Sequence, residues 1–325
     1  MIISKTPLRI SLFGGGSDFP EYFKVKNTLI IGGTINKYIY ITLSDFYSKL
    51  FKEKIRLFYK KREFVNYNKK IKHKVIRKVL EDNKINRDIE LHIISDLPGN
   101  TGLGSSSSFS TGLLNVVNFY KKKDISKKDL SLKTIKLERD KLRENVGYQD
   151  QIFASYGGFS KIVIKDSNKF KVLRYKNISY INKIEKNLFL IFTGIKRKAD
   201  LIEKKKIKNI KKNFKYLDAI QKIAKLADYN INKKKNIDFI GDLLNKTWSL
   251  KKKLDKNVSN KKIETIYKKG LSNGATGGKL LGAGAGGFIL FYVPSKKHKK
   301  FLKMFRKSSI DFKFTSEGSR VFNYN

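Results

Sequence analysis

Four stretches of this 325-residue chain hold residue types and spacings that do chemistry. One reads Asp96-Leu97-Pro98-Gly99-Asn100-Thr101-Gly102-Leu103-Gly104, followed by Ser105, Ser106, Ser107 and Ser108. Glycines let a backbone turn tightly and leave its N–H groups unobstructed. Where such a loop opens a helix, the first N–H groups lack intrahelical partners and the dipole favours an anion. The serines add hydroxyl donors and oxygen ligands for a metal, so the stretch is a phosphate cradle in chemical terms. It is not a Walker loop, because no Gly-Lys-Ser/Thr follows the glycines. A serine cap after a glycine turn uses the same residues. A second stretch, Gly14-Gly15-Gly16-Ser17-Asp18, brings backbone close to a ligand and leaves Asp18 to accept hydrogen bonds from hydroxyls; a tight turn with a solvated aspartate is the plainer reading. A third, Gly147-Tyr148-Gln149-Asp150-Gln151, sets an acid between two amides, as for a general base or a helix-start aspartate. In the fourth, seven glycines fall between Gly274 and Gly287. They close a loop over a ligand or form a flexible hairpin, and loops between patterned segments more often carry function.

Several elements must position these groups. A strand pattern over 89–94 enters the cradle, and Phe109, Leu113, Val116 and Tyr120 leave it at helical spacing. Leu8, Ile10 and Leu12 alternate with Arg9 and Ser11, which predicts a strand ending at the triple glycine with Arg9 on the face opposite its apolar neighbours. Strands are expected over 28–43, 54–67, 160–164, 172–175 and 188–193, and helices over 70–83 and 128–144, the latter carrying Glu138. A basic turn with Lys196 and Arg197 follows residue 194. Residues 201–254 read as lysine-dense helix with Trp248 as a core anchor. Residues 270–287 read as a glycine loop, followed by a strand over 288–293, a helix over 296–303 and a last strand over 319–322. No linker interrupts the chain, and the change from strand-rich to helical sequence places a domain boundary near residue 180, giving domains 1–180 and 181–325.

Composition narrows the classes. Hydrophobic residues make up 40% and charged residues 31%, which fits a globular fold with real cores. No apolar run approaches the roughly 20 residues that span a bilayer, and no signal peptide is evident. The chain has no cysteine, which excludes thiolate metal sites and fits a reducing, cytoplasmic setting. The formal net charge of +44 invites a nucleic-acid partner. However, 61 lysines stand against 11 arginines and are spread along the chain, whereas base reading favours arginine forks. A solvated lysine surface that steers anionic substrates is expected, with no specific nucleic-acid partner and no membrane span.

Taken in order, the motifs resemble the GHMP kinase superfamily, which includes galactokinase and the homoserine, mevalonate and phosphomevalonate kinases. Its N-terminal motif is matched by Pro7 to Asp18, its central Pro-x-x-x-Gly-Leu-Gly-Ser-Ser loop by Pro98 to Ser108, and its C-terminal glycine loop by Gly274 to Gly287. The likeness is greatest to the heptose 7-phosphate kinases within it. It rests on Thr6-Pro7-Leu8-Arg9-Ile10-Ser11, Gly14 to Asp18, Ser95 to Pro98, Thr101 to Phe109, Glu144 to Gly147 with Gln149-Asp150-Gln151, Thr193-Gly194-Ile195, and Gly277 to Gly284. The resemblance implies an α+β fold of two domains: an N-terminal domain like the second domain of ribosomal protein S5, a ferredoxin-like C-terminal domain, and an active site in the cleft between them. It implies ATP and Mg²⁺. Pro98, Thr101, Gly102, Leu103, Gly104 and Ser105 to Ser108 would wrap the ATP phosphates, with Gly282, Gly284 and Gly286 lining the site from the other side. Ser106 and Glu138 would hold Mg²⁺, although the step from Glu138 to Asp150 is one residue longer than in related kinases. Asp150 would take the hydroxyl proton, with Arg9 pairing to it and lowering its pKa. Gly15, Gly16, Asp18 and Gly147 would meet the sugar, and Lys196 and Arg197 a phosphate already on it.

The implied reaction is phosphorylation of the anomeric hydroxyl of D-glycero-D-manno-heptose 7-phosphate to the 1,7-bisphosphate, for nucleotide-activated heptose and surface polysaccharide. The partners are then ATP and a small sugar phosphate, with a homodimer compatible. A kinase for another sugar such as fucose would keep the fold and chemistry. A basic nucleic-acid binder on an S5-like fold would explain the charge but not Asp150, Glu138 and Ser106.

Overall fold

The computed structural model describes residues 1–196 and 209–324. Two sheets organise them. The first has eight strands. Alternation over β1 (Ile2–Phe13) buries Leu8, Ile10 and Leu12 completely. It pairs antiparallel with β2 (Thr28–Asp45), a single 18-residue strand where one or two were expected. The register shifts between Pro7 and Leu8, skipping Asn36 and Lys37 of β2. Beyond that irregularity β2 changes its other neighbour: Thr28 to Gly33 pair with β6 (Phe159–Asp166), and Ile39 to Asp45 with β5 (Ile89–Ser95). The predicted 54–67 strand is a hairpin of β3 (Ile55–Phe58) and β4 (Arg62–Val65), and β7 (Lys169–Arg174) pairs with β6. Helix α1 (Pro20–Phe23) follows the triple glycine, α2 (Lys74–Asp82) and α3 (Ser105–Tyr120) pack their apolar faces into the sheet's core, and α4 (Lys127–Lys136) and α5 (Gln149–Tyr156) pack on each other and on α3.

After α6 (Ile178–Lys186) the chain enters a second sheet, β11 (Ser309–Ile310), β8 (Leu188–Phe192), β10 (Phe288–Tyr292) and β9 (Gly277–Leu280) in that order. The helical stretch is two helices, α7 (Phe214–Asn232) and α8 (Phe239–Leu254), with residues 201–208 outside the described set. Trp248 on α8 is 1% exposed in a cluster with Tyr267, Phe291 and Phe301. The 270–287 stretch is not one loop. Its start belongs to α9 (Lys261–Ser272), and Gly277–Leu280 is a fully buried strand. Glycine was needed there by contact: a Cβ on Gly277 would lie 1.9 Å from the Gly241 carbonyl oxygen. After α10 (His298–Phe305), the last strand, β12 (Arg320–Asn323), returns to the first sheet beside β1. The described residues contain no helix long and apolar enough to cross a membrane.

Candidate functional site

Arg9 leaves β1 on the face opposite Leu8 and Ile10, as its alternation predicts, and is 4% exposed. Its Nε and Nη2 donate to Asp150 Oδ1 and Oδ2 at 2.8 and 2.7 Å, and its Nη1 to the Gly102 carbonyl at 2.6 Å. Its backbone N–H donates to Leu103 O at 3.0 Å. One residue thus fixes the first strand, the glycine loop and α5 against each other through a bidentate, charge-assisted pair. Asp150 is the helix-start aspartate that the sequence allowed. It stands in the first turn of α5, and its side chain keeps 24% exposure, lining a cavity.

That cavity lies where the two sheets' loops meet, with about 1110 Å³ of space counting its open mouth. On the cradle side it is lined by Asn100, Gly102, Gly104 and Ser105 to Ser107. Gly104 adopts φ 74° as the residue capping α3, a left-handed conformation that glycine takes without strain. Four residues expected at the phosphates are turned to other uses. The Thr101 hydroxyl donates to Pro98 O at 2.9 Å, Leu103 is fully buried in the core, and the Ser108 hydroxyl donates to Pro7 O at 2.8 Å. Pro98 is therefore a partner of Thr101 and does not line the cavity.

Gly15, Gly16, Asp18 and Gly147 line the same cavity. Asp18 is 1% exposed, so a solvated turn aspartate is excluded. Its carboxylate accepts from Gly16 N at 3.0 Å, Gln149 N at 3.1 Å and Gln149 Nε2 at 3.3 Å. Burial, with Asp150 adding repulsion, raises its pKa against the pull of these donors. Gly147 leaves room for it: a Cβ there would sit 2.0 Å from Asp18 Oδ2.

Glu138 lies behind the cradle, fully buried. The Ser107 hydroxyl and Gln151 Nε2 donate to its Oε2 at 2.9 and 2.5 Å, while Oε1 makes no hydrogen bond. Burial pushes its pKa up to about 7 against the pull of the polar groups around it. The segment Leu137–Lys141 is a π-turn. A π-turn takes one residue more than an α-turn. A buried carboxylate with one oxygen outside these hydrogen bonds, beside the Ser107 and Ser110 hydroxyls and behind the glycine loop, fits Mg²⁺, which takes one or two carboxylates and completes its shell with phosphate and water. The described residues hold no cluster of three or more His, Cys, Asp or Glu side chains, so the protein alone does not make a closed metal cage.

From the second sheet come Gly282 and Ala283. Gly284 and Gly286 do not line the cavity; Cβ atoms on them would press on Val258 and Ile195 at 2.8 Å each. Lys196 is exposed and outside the lining, and Arg197 lies outside the described residues. Among the lining residues that the sequence does not single out for the site are Gln149, Lys251 and Lys279. Gln149 was seen only as a neighbour of Asp150, yet it holds Asp18. Lys251 donates to the carbonyls of Leu280 and Gly282 at 2.7 and 2.6 Å, and one lysine in a run of three gave no signal. Lys279 donates to Leu12 O at 2.8 Å and is 4% exposed; a lone charge inside an apolar, glycine-bounded strand was its signal.

Comparison with known proteins adds to this geometry. The family described as GHMP kinases N terminal domain matches residues 66–158. A D-glycero-alpha-D-manno-heptose 7-phosphate kinase from Campylobacter jejuni is 31% identical over 98% of this chain and 97% of its own length. The mevalonate kinase of Methanocaldococcus jannaschii is 30% identical over 68% of this chain and 67% of its own. Among solved structures, one described as a D-glycero-D-manno-heptose 1-phosphate kinase from Bacteriodes thetaiotaomicron covers 100% of both chains at 21% identity with a TM-score of 0.82. That likeness shows the α+β GHMP kinase fold.

Proposed function

Since the chain belongs to the GHMP kinase family and is an ATP-dependent sugar kinase, we propose that its acceptor is D-glycero-D-manno-heptose 7-phosphate, phosphorylated on the anomeric hydroxyl to the 1,7-bisphosphate. The observation that carries the chemistry is the Arg9–Asp150 fork at the foot of the glycine cradle. The full-length likeness to a kinase named for that sugar phosphate supports the choice of acceptor.

In this reading the acceptor hydroxyl oxygen forms a bond to the γ-phosphorus as the bond to the β-phosphate oxygen breaks, and ADP leaves. The hydroxyl proton passes to Asp150. Arg9 occupies one lone pair on each carboxylate oxygen and leaves another on each for that proton. The guanidinium stabilises the carboxylate and fixes its direction. Little covalent help is needed in phosphoryl transfer, so the cradle acts by position and by neutralising charge. Gly102, Gly104 and Ser105 to Ser107 hold the phosphates. Asp18, braced by Gln149, accepts from sugar hydroxyls beside Gly15, Gly16 and Gly147. Ser106 and Glu138 would hold Mg²⁺, which when bound draws charge off the phosphate oxygens. The 1–180 and 181–325 division remains our proposal for the two domains, with β12 crossing back, and the cytoplasm our proposal for the place of action.

The product decides the position of transfer. In ³¹P NMR of the reaction with heptose 7-phosphate, a second phosphorus signal coupled to the anomeric proton is expected. Transfer to another hydroxyl, or none, would overturn the assignment.

A further inference from the structure

The positive charges on the cavity wall are not equally answered. Arg9 has Asp150. Lys279 has no carboxylate within ion-pair distance among the described residues; its hydrogen-bond partner is a neutral one, the Leu12 carbonyl at 2.8 Å. Asp18 and Asp150 share the cavity with it, but neither pairs with it. Burial and the charge of Arg9 pull its pKa down to about 7. Lysine is rarely buried unless paired, and a hydrophobic residue of similar length would serve packing better. An ammonium carries three donors, and Leu12 takes one.

The surroundings point to what is missing. Lys279 lines the same cavity as a glycine cradle suited to phosphate. The neighbouring Lys251 engages the carbonyl oxygens of Leu280 and Gly282, on either side of the point where Leu281 crosses Gly102. Two oxygens that would repel an anion at that crossing are thereby occupied.

We propose that Lys279 is an anion-binding residue of this cavity, against which a phosphate group of a bound substrate docks and supplies the missing counter-charge. The proposal rests on the kinase reading, which provides two sources of the same chemistry: the terminal phosphate of ATP, and the phosphate already on the acceptor. In the second case Lys279 takes the role expected of Lys196 and Arg197.

The test compares full-length wild type with Lys279→Gln and Lys279→Arg, by steady-state kinetics and by thermal unfolding with each ligand. Removing a charged hydrogen bond to phosphate is expected to raise the KM for one phosphate-bearing ligand by about tenfold or more, with the stabilisation by that ligand reduced. Arginine, which keeps the charge, should recover most of both. A rise confined to ATP assigns the nucleotide phosphate. A rise for heptose 7-phosphate that is absent for the same sugar without phosphate assigns the acceptor's. If neither ligand's KM or stabilisation moves more than about twofold, the proposal is overturned. It is also overturned if both variants lower the unfolding temperature alike and weaken every substrate equally, which leaves Lys279 as a clasp between β9 and β1. A wild type that ignores heptose 7-phosphate would defeat the acceptor reading instead, and the ATP measurements would still decide for or against Lys279.

Discussion

Gly102 and Gly282 meet backbone to backbone across the cleft: a Cβ on Gly282 would lie 2.5 Å from the Gly102 Cα, and one on Gly102 would lie 2.6 Å from the carbonyl oxygen of Leu281. Both have positive φ, 84° and 66°. The cradle and the C-terminal loop can touch only because neither residue has a side chain. Gly102→Ala and Gly282→Ala should each destabilise the protein by about 1–3 kcal/mol and lower kcat/KM for ATP. Gly99→Ala is the control, since its Cβ would meet only Ser105 Oγ at 3.9 Å. Chemical denaturation and initial rates measure both effects.

Asp150→Asn keeps shape and removes the proton acceptor. A fall in kcat of about 10³-fold, with the KM for ATP little changed, is expected. Arg9→Met should lower kcat too, and Arg9→Met combined with Asp150→Asn should be little worse than Asp150→Asn alone, because the two act as one unit. Additive losses would separate their roles.

Glu138 ties stability to pH. Its native pKa of about 7 stands above the ordinary 4.5, so between those values the native protein holds a proton that the unfolded chain releases. The contribution of this group to stability is therefore present below pH 4.5 and is lost as pH rises through about 7. Glu138→Gln removes that loss, and above pH 7 the ligand-free variant should be more stable to unfolding than wild type, by about 1–3 kcal/mol. At pH 4 the difference should vanish. The same variant should lose most activity, because the metal it would help hold has lost its carboxylate.

Asp18→Asn and Gly147→Ala act on one contact from two sides. The first removes the charge and turns one of the two accepting oxygens into an amide donor, and the second would press a methyl group into Asp18 Oδ2, 2.0 Å away. Each should raise the KM for the sugar about tenfold or more while moving that for ATP much less. Equal effects on both substrates would remove Asp18 from the acceptor site.

Much of this was legible in the sequence because it was periodic or local. The strand around Arg9, the strand–loop–helix around the cradle and the strand Leu188–Phe192 follow from alternation and turn residues alone. The Arg9–Asp150 pair spans 141 positions, and only the resemblance to a family joined them. Glycines misled in one place: Gly277–Leu280 reads as loop by composition but is strand because its neighbours leave no space for side chains. Lys251 is hidden in a run of three lysines, whereas Lys279 leaves one local trace, a lone charge inside an apolar, glycine-bounded strand. Among 61 lysines little else marks a buried ammonium, since what buries it is contributed by distant strands.

The central claim is transfer of phosphate to a phosphorylated heptose by a site built on Asp150. ATP consumption with Mg²⁺ should be measured against heptose 7-phosphate, sedoheptulose 7-phosphate, fucose, galactose and mannose, with wild type and Asp150→Asn side by side. Turnover confined to heptose 7-phosphate and abolished by the substitution is the predicted result. Turnover on a neutral sugar in preference to heptose 7-phosphate, or undiminished turnover in the variant, would contradict it.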